Sequence, residues 1–213
     1  MNVYELISSR GCGSAIVEMA FALAGLPVRV TEIPYGKPGT ERDRLLSLNP
    51  LGQVPVLLLP DGTVMTESAA MVLHLDKLVP AAGLLPCLGD ARRPAALNQL
   101  VMLVAAIYPT VTFSDPPENW TLPGAPAERL RERLDERKAT LWRQFEAAAT
   151  PARFLHGKRP GALDLYVAVM TQWRPGPAWF AENTPKLASI AQAVAAIPVL
   201  APIMAHHFAH ESG

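Results

Sequence analysis

The chain has 213 residues, half of them hydrophobic, which allows one substantial core or two modest ones. Lysine and arginine together number 19, and so do aspartate and glutamate, so the formal net charge is zero. Without net positive charge there is no broad basic surface for polyanions, and we do not expect nucleic acid as a partner.

The first residues lack the basic and long apolar segments of a signal peptide, and we expect the mature protein to begin there with a strand. Apolar runs such as 100–107 are far shorter than the roughly 20 residues of a membrane-spanning helix, so no membrane span is expected. The cysteines, Cys12 and Cys87, lie in dissimilar contexts, which favours a reducing compartment. We therefore expect a cytoplasmic protein.

The first eighty residues alternate between strand-like and helix-like patterns, which is typical of an α/β unit. Strands are predicted at 3–7, 28–33 and 54–59, the last paired with 64–65 through an Asp61-Gly62 turn. Helices are predicted at 14–23, 41–48 and 69–78, with Ser68 able to cap the third.

Residues 80–89 are rich in proline, glycine and leucine and have no clear period, which predicts an interdomain linker. Beyond it the pattern is helical, at 94–107, 127–148, 162–173, 185–197 and, more briefly, 199–207. The segment 109–126 is predicted to be a long loop or irregular helix extension. The charged helix at 127–148 is predicted to lie on the surface, with Leu130, Leu134 and Leu141 as a narrow apolar face.

A proline stands at the start of the third strand, in the run Gln53-Val54-Pro55. With a cis peptide bond the chain would make a type VI turn that leaves the backbone of Val54 free to pair with an extended peptide. The alternative is an edge-strand proline without a binding role.

Glu67 and Ser68 precede the third helix. A serine hydroxyl and helix amides form an anion site, and a neighbouring carboxylate can pair with an ammonium group, so together they suit one amino acid. The alternative is plain helix capping.

The turn after the first strand, Ser9-Arg10-Gly11-Cys12-Gly13-Ser14, places Cys12 at a helix start, where amides stabilise a thiolate or a bound anion. The flanking glycines allow a ligand to approach closely. The alternative is a small buried cysteine in a tight turn.

The order and spacing of these segments resemble the cytosolic glutathione S-transferase family, of bacterial type with a Ser/Cys-type active-site turn. The resemblance is carried by Asn49-Pro50-Leu51-Gly52-Gln53-Val54-Pro55-Val56-Leu57, by Asp61-Gly62 and by Thr66-Glu67-Ser68-Ala69-Ala70. Residues 154–164 also resemble the family's segment leading to a buried capping aspartate, here Asp164. The resemblance implies a thioredoxin-like α/β domain at 1–80, a linker at 81–90, an all-α domain at 91–213, and a homodimer.

The same resemblance implies how glutathione, the co-substrate, would bind. The backbone of Val54 before a cis Pro55 would receive its cysteinyl part. Glu67 and Ser68 would hold its γ-glutamyl end, and Gln53 would lie beside one of its carboxylates. Tyr108, Phe113 and Trp120 lie in the stretch expected to line an apolar electrophile pocket between the domains, although each aromatic side chain also suits a core or a dimer surface.

By the same resemblance, the residue that activates the sulfur falls in the first turn. Cys12 aligns best with the family's serine or cysteine, and Ser9 and Ser14 are the nearby hydroxyl candidates. The family's common Ser-Pro-x-Ser/Cys pattern is Ser9-Arg10-Gly11-Cys12 here, without the proline. The cap before Asp164 is Gly161 rather than serine or threonine.

The activity implied is conjugation of the glutathione thiolate to small hydrophobic electrophiles, a detoxification reaction that needs no metal. If Cys12 acts on the sulfur, a mixed disulfide leads instead to thiol transfer, reduction or removal of glutathione from a conjugate. A third alternative is a non-catalytic glutathione-binding or regulatory protein, since a fold does not fix a function.

The C-terminal histidines His206, His207 and His210 are spaced to place two imidazoles on one helix face, which raises zinc binding as an alternative. A frayed, partly exposed tail accounts for them better, since no acidic or cysteine ligand accompanies them, and we expect no metal site.

Overall fold

The computed structural model describes residues 3–34, 36–150 and 153–209. A four-stranded sheet is built from β1 Tyr4–Ser8, β2 Val28–Glu32, β3 Val56–Leu58 and β4 Val64–Met65. The spatial order is β2-β1-β3-β4, with β1 and β2 parallel and the other two pairs antiparallel. β1 is therefore one of the two inner strands, beside β3, and the turn after it leaves the middle of the sheet.

Helices cover both faces of this sheet, namely α1 Ser14–Ala24, α2 Thr40–Leu48 and α3 Ser68–Leu78. Because neighbouring strand residues point to opposite faces, Leu6 enters the main core with α1 and α3, whereas Ile7 joins Leu45 in a smaller core under α2. The β-α-β-α-β-β-α order predicted from the sequence is confirmed.

The rest of the described chain consists of helices joined by loops and short turns. Its helices are α4 Arg93–Met102, α5 Tyr108–Ser114, α6 Ala125–Ala148, α7 Ala162–Met170, α8 Pro177–Asn183, α9 Pro185–Ala195 and α10 Ala201–Phe208. Every residue of α7 is buried, and α7 packs against α1, α4 and α9. One continuous hydrophobic core thus joins the sheet layer to the helices, and the predicted fold class, a thioredoxin-like α/β part followed by an all-α part, is confirmed.

The region predicted as a loop at 109–126 instead begins with helix α5. A π-helical turn, Leu103–Ile107, joins α4 to α5, and the backbone N–H of Tyr108 donates to the Leu103 carbonyl five residues back. Pro109 has no N–H to continue the α-helical pattern, and the wider turn just before it changes the direction in which the following side chains point.

By length and composition alone, the continuous helical stretch Arg93–Ser114 would be able to cross a membrane. The apolar run at 100–107, on which the expectation of no membrane span rested, is only part of this stretch, and 28% of the stretch's most apolar window is buried inside the protein. Here α4 packs on α7 and α5 packs on α6.

Half of the residues of helix α6 are exposed, which agrees with the predicted surface position, but five are buried, namely Ala127, Lys138, Leu141, Trp142 and Phe145. Lys138 is 1% exposed, and its ammonium group donates to Asp135 at 2.9 Å and to the Ser114 hydroxyl at 3.3 Å. One of the charges assigned to a solvated face therefore lies inside, where it holds the end of α5.

The start of α7 is held by Asp164, as the resemblance implied. Its carboxylate accepts the backbone N–H of Gly161 at 2.8 Å and of Leu155 at 2.9 Å. A Cβ atom at Gly161 would lie 2.8 Å from the Leu84 carbonyl oxygen, closer than such atoms pack. This contact explains why glycine stands where serine or threonine was expected.

Candidate active site

A cavity of about 520 Å³ lies between the sheet layer and the helix that contains α4 and α5. Its wall includes all the residues predicted to hold glutathione and all the aromatic residues predicted to hold the electrophile, namely Gln53, Val54, Pro55, Glu67, Ser68, Tyr108, Phe113 and Trp120. Segments that are distant in the sequence thus meet around one space.

The loop before β3 forms one side of this cavity. The Val54–Pro55 peptide bond is cis, as the sequence interpretation expected. Asn49 shapes the loop, because its side-chain amide donates to the Gln53 carbonyl at 2.9 Å and its side-chain oxygen accepts the Leu51 N–H at 3.1 Å.

The start of α3 forms the next part of the wall. Glu67 precedes the helix with an exposed side chain, and Ser68 is the first helical residue. The predicted capping by Ser68 is wrong, because no side-chain cap is formed and the Ser68 hydroxyl instead pairs with the Tyr166 hydroxyl at 2.6 Å. Burial raises the pKa of Tyr166, and the hydrogen bond with Ser68 opposes this only in part.

Aromatic side chains from α5 and the loop after it form the opposite wall. The rings of Phe113 and Trp120 meet edge to face with centroids 4.6 Å apart, and the Trp120 indole donates to the Thr112 carbonyl at 3.3 Å. Both rings are partly exposed, so apolar surface faces the cavity and solvent.

The serine hydroxyls of the turn after β1 are held inside the protein. Ser9 donates to the Ile33 carbonyl at 2.8 Å, and Ser14 donates to the Ser9 carbonyl at 3.2 Å while accepting from Ser8 at 2.9 Å. Ser9 is 4% exposed and Ser14 fully buried, and neither lines the cavity.

Cys12 is partly exposed on the same turn and does not line the cavity either. Burial raises the pKa of its thiol, and a hydrogen bond with Ser9 acts weakly in the opposite direction. The surroundings therefore disfavour a Cys12 thiolate.

Residues of the helical part contact this turn. The sequence did not predict the hydrogen bonds described next. Arg10 donates through Nε to the His206 carbonyl at 2.8 Å, and the Trp173 indole donates to the Gly11 carbonyl at 2.7 Å. A Cβ atom built on Gly13 would overlap the Tyr108 hydroxyl. These contacts join residues far apart in the chain, so no local pattern could have revealed them.

The C-terminal histidines have separate partners. His206 pairs with Glu32 at 2.6 Å and His207 with Glu18 at 3.0 Å, while His210 lies outside the described residues. Within the described ranges, no three histidine, cysteine, aspartate or glutamate side chains are grouped so that they could hold a metal ion.

A second cavity, of about 350 Å³, lies behind the segment that precedes α4. Cys87, Arg92 and His156 are among its lining residues, and burial lowers the pKa of His156. None of the residues predicted for the active site lines this cavity.

Comparison with known proteins gives the same family as the motifs. Residues 14–78 match the family model described as "Glutathione S-transferase, N-terminal domain". The chain is 36% identical to the uncharacterized GST-like protein YncG of Escherichia coli strain K12, over 91% of this chain and 93% of that protein. It is 27% identical to a maleylacetoacetate isomerase of Pseudomonas aeruginosa over 74% of each. Among solved structures, a Sulfitobacter glutathione transferase homologue with bound glutathione superposes with a TM-score of 0.85 and 22% identity, covering 95% of this chain and 97% of that one.

Proposed function

Because the chain belongs to the glutathione S-transferase family, we propose that it binds glutathione in the cavity between its two parts and conjugates the thiolate to small hydrophobic electrophiles. The observation that carries this proposal is the shared wall: Gln53, Val54, Pro55, Glu67 and Ser68 face the same space as Tyr108, Phe113 and Trp120. A polar tripeptide and an apolar partner would thereby be brought together.

The γ-glutamyl end of glutathione carries both an ammonium group and a carboxylate. Glu67, exposed at the start of α3, would pair with the ammonium group, and Ser68 would donate to the carboxylate at the positive end of the helix. The backbone of Val54, at the cavity wall, would pair with the cysteinyl residue, and Gln53 would lie beside a carboxylate.

The electrophile would occupy the aromatic side of the cavity. Phe113 and Trp120 offer an apolar surface there, and the cavity has the size of an ordinary small-molecule site. In the reaction the glutathione S–H gives its proton to solvent, the sulfur lone pair forms the new S–C bond, and the leaving group departs with its electron pair.

The surroundings of Cys12 favour conjugation over the Cys12-dependent alternatives. Thiol transfer, reduction or removal of glutathione each needs a Cys12 thiolate that reaches the bound sulfur. Burial raises the pKa of this thiol, and Cys12 does not line the cavity. A binding or regulatory protein without turnover is separated from an enzyme by the assay below.

The test compares wild type with Glu67→Gln and with Glu132→Gln, a matched change at an exposed residue of α6. Calorimetry measures glutathione binding, and the rate of conjugation to an aryl halide measures turnover. We expect Glu67→Gln to weaken binding by about tenfold, the effect of one charged pair, and Glu132→Gln to match wild type. Binding without turnover of any electrophile would favour the regulatory alternative, and no binding would refute the proposal.

We further propose that the protein acts as a homodimer in the cytoplasm in detoxification, with the domains divided at 1–80, 81–90 and 91–213. Homodimers are usual in this family, which supports the dimer. The free thiols of Cys12 and Cys87 fit a reducing compartment. Sedimentation equilibrium of the purified chain tests the dimer.

A further inference from the structure

A tyrosine hydroxyl of α5 reaches from the cavity wall to the first turn. Tyr108 lines the cavity, and its hydroxyl lies against Gly13, where a Cβ atom would also be only 3.3 Å from its Cζ atom. Tyr108 therefore connects the cavity with the turn in which an activating group is expected. Cys12, Ser9 and Ser14 do not line the cavity.

The serine hydroxyl groups of the turn already donate hydrogen bonds within the protein. Ser9 and Ser14 both donate to backbone carbonyls within a buried network. If Ser9 donated to a bound sulfur instead, it would have to give up its hydrogen bond to the Ile33 carbonyl, and Ser14 would have to give up its hydrogen bond to the Ser9 carbonyl.

Trp173 holds the Tyr108 ring close to the turn after β1. Its ring meets Trp173 edge to face, with centroids 5.2 Å apart and an interplanar angle of 78°. The Trp173 indole in turn donates to the Gly11 carbonyl at 2.7 Å. The π-helical turn Leu103–Ile107 directly precedes Tyr108, and such turns are frequent at functional sites.

We propose that the Tyr108 hydroxyl donates a hydrogen bond to the sulfur of bound glutathione and is the catalytic residue that stabilises the thiolate. This proposal rests on the proposed function. A tyrosine hydroxyl keeps its proton at neutral pH, and a donor to the charged form of a thiol lowers the thiol's pKa. Tyr108 thus keeps its proton throughout, while the glutathione proton leaves to solvent and the sulfur attacks the electrophile.

The experiment compares Tyr108→Phe with Tyr4→Phe, which makes the same chemical change on β1, where Tyr4 packs against Phe21. Glutathione binding is measured by calorimetry, the bound thiolate by ultraviolet absorbance against pH, and turnover with an aryl halide. For Tyr108→Phe we expect retained binding, a thiolate midpoint displaced to higher pH, and kcat lower by about 10–100-fold. Tyr4→Phe should behave as wild type in all three measurements.

Cys12→Ala and Ser9→Ala are measured alongside. If one of these variants loses the thiolate signal and Tyr108→Phe keeps it, the role assigned to Tyr108 is wrong while the proposed function stands. If Tyr108→Phe loses glutathione binding itself, Tyr108 is a binding residue and the catalytic role is again refuted. If wild type neither binds glutathione nor conjugates it, both proposals fall together.

Discussion

The hydroxyl of Tyr108 occupies the space that a Cβ atom of Gly13 would need. Gly13 has φ −64° and ψ −10°, an ordinary helical conformation open to any residue. The need for glycine therefore comes from the helical part of the protein and not from the backbone of the turn.

Gly13→Ala should destabilise the fold because the added methyl group displaces Tyr108. Overpacking of this kind costs about 1–3 kcal/mol, whereas alanine at an unobstructed helical site stabilises by about 0.4–1 kcal/mol. The sign of the change in unfolding free energy, measured by urea denaturation, separates the two cases.

Tyr108→Phe provides the control, since it removes the overlapping oxygen and leaves the ring. The double variant Gly13→Ala/Tyr108→Phe should recover most of the lost stability, with a coupling of about 1 kcal/mol or more between the sites. Strictly additive effects would show that the two residues do not compete for space.

Tyr166 should support glutathione binding without touching the ligand. A ligand carboxylate only accepts hydrogen bonds, so in the complex Ser68 would donate to it while Tyr166 donates to Ser68. Tyr166→Phe removes the second donor, and we expect the glutathione Kd to rise about three- to tenfold, as for one hydrogen bond. Calorimetry measures the Kd, Tyr4→Phe is the matched control, and an unchanged Kd in Tyr166→Phe would contradict the relay.

The sheet layer was predictable because strand and helix periods alternate there and turn residues separate them. The helical part was predicted less completely. Helix α8 was missed because it is short, follows Arg174-Pro175-Gly176 and itself begins with Pro177, a composition typical of a break. A proline at the first helical position is in fact compatible with a helix start.

The cavity-lining residues predicted to hold glutathione and the electrophile were found together, but the position of Cys12, Ser9 and Ser14 away from the cavity and the hydrogen bonds of the site were not predicted. The Ser9 hydroxyl donates to the Ile33 carbonyl, which lies just after β2. The contact of Tyr108 with Gly13 depends on how α5 packs on the sheet layer. Both arise from tertiary packing between segments distant in sequence, for which hydrophobic periodicity carries no signal.

Asp164 should make stability depend on pH in the acidic range. Burial raises the pKa of its carboxyl to about 6, against the two backbone hydrogen bonds from Leu155 and Gly161. The folded state then holds the proton more tightly than the unfolded chain, whose aspartate has a pKa of about 3.9. This contribution is therefore full below about pH 4 and is lost as pH rises through about 6, a change of roughly 2–3 kcal/mol.

Asp164→Asn does not titrate, so the difference in unfolding free energy between wild type and this variant isolates the carboxyl. We expect the advantage of wild type to be largest near pH 4 and to shrink toward pH 7, measured by urea denaturation at several pH values. An advantage that grows with pH would show that the backbone hydrogen bonds outweigh burial.

Lys138 and Asp135 should respond unequally to substitution. Asp135→Ala leaves the ammonium group of Lys138, which is 1% exposed, with only the Ser114 hydroxyl as partner. Removing one member of a buried pair costs about 3–5 kcal/mol. In Lys138→Met the side-chain volume is kept and Asp135 still pairs with Arg174, so we expect a loss below about 1.5 kcal/mol.

Ser114 ends α5, the helix that begins with Tyr108, and Lys138 donates to Ser114. Because Asp135→Ala leaves the Lys138 charge poorly paired at this end of α5, we expect this variant to lose conjugation activity and Lys138→Met to keep it. Arg174→Ala is the control, since its exposed pair with Asp135 is worth about 1 kcal/mol or less. Adding Lys138→Met to Asp135→Ala should restore stability, because the unpaired charge is then gone. Equal losses in the two single variants would show that the ion pair itself, rather than the stranded ammonium group, sets the stability of this end of α5.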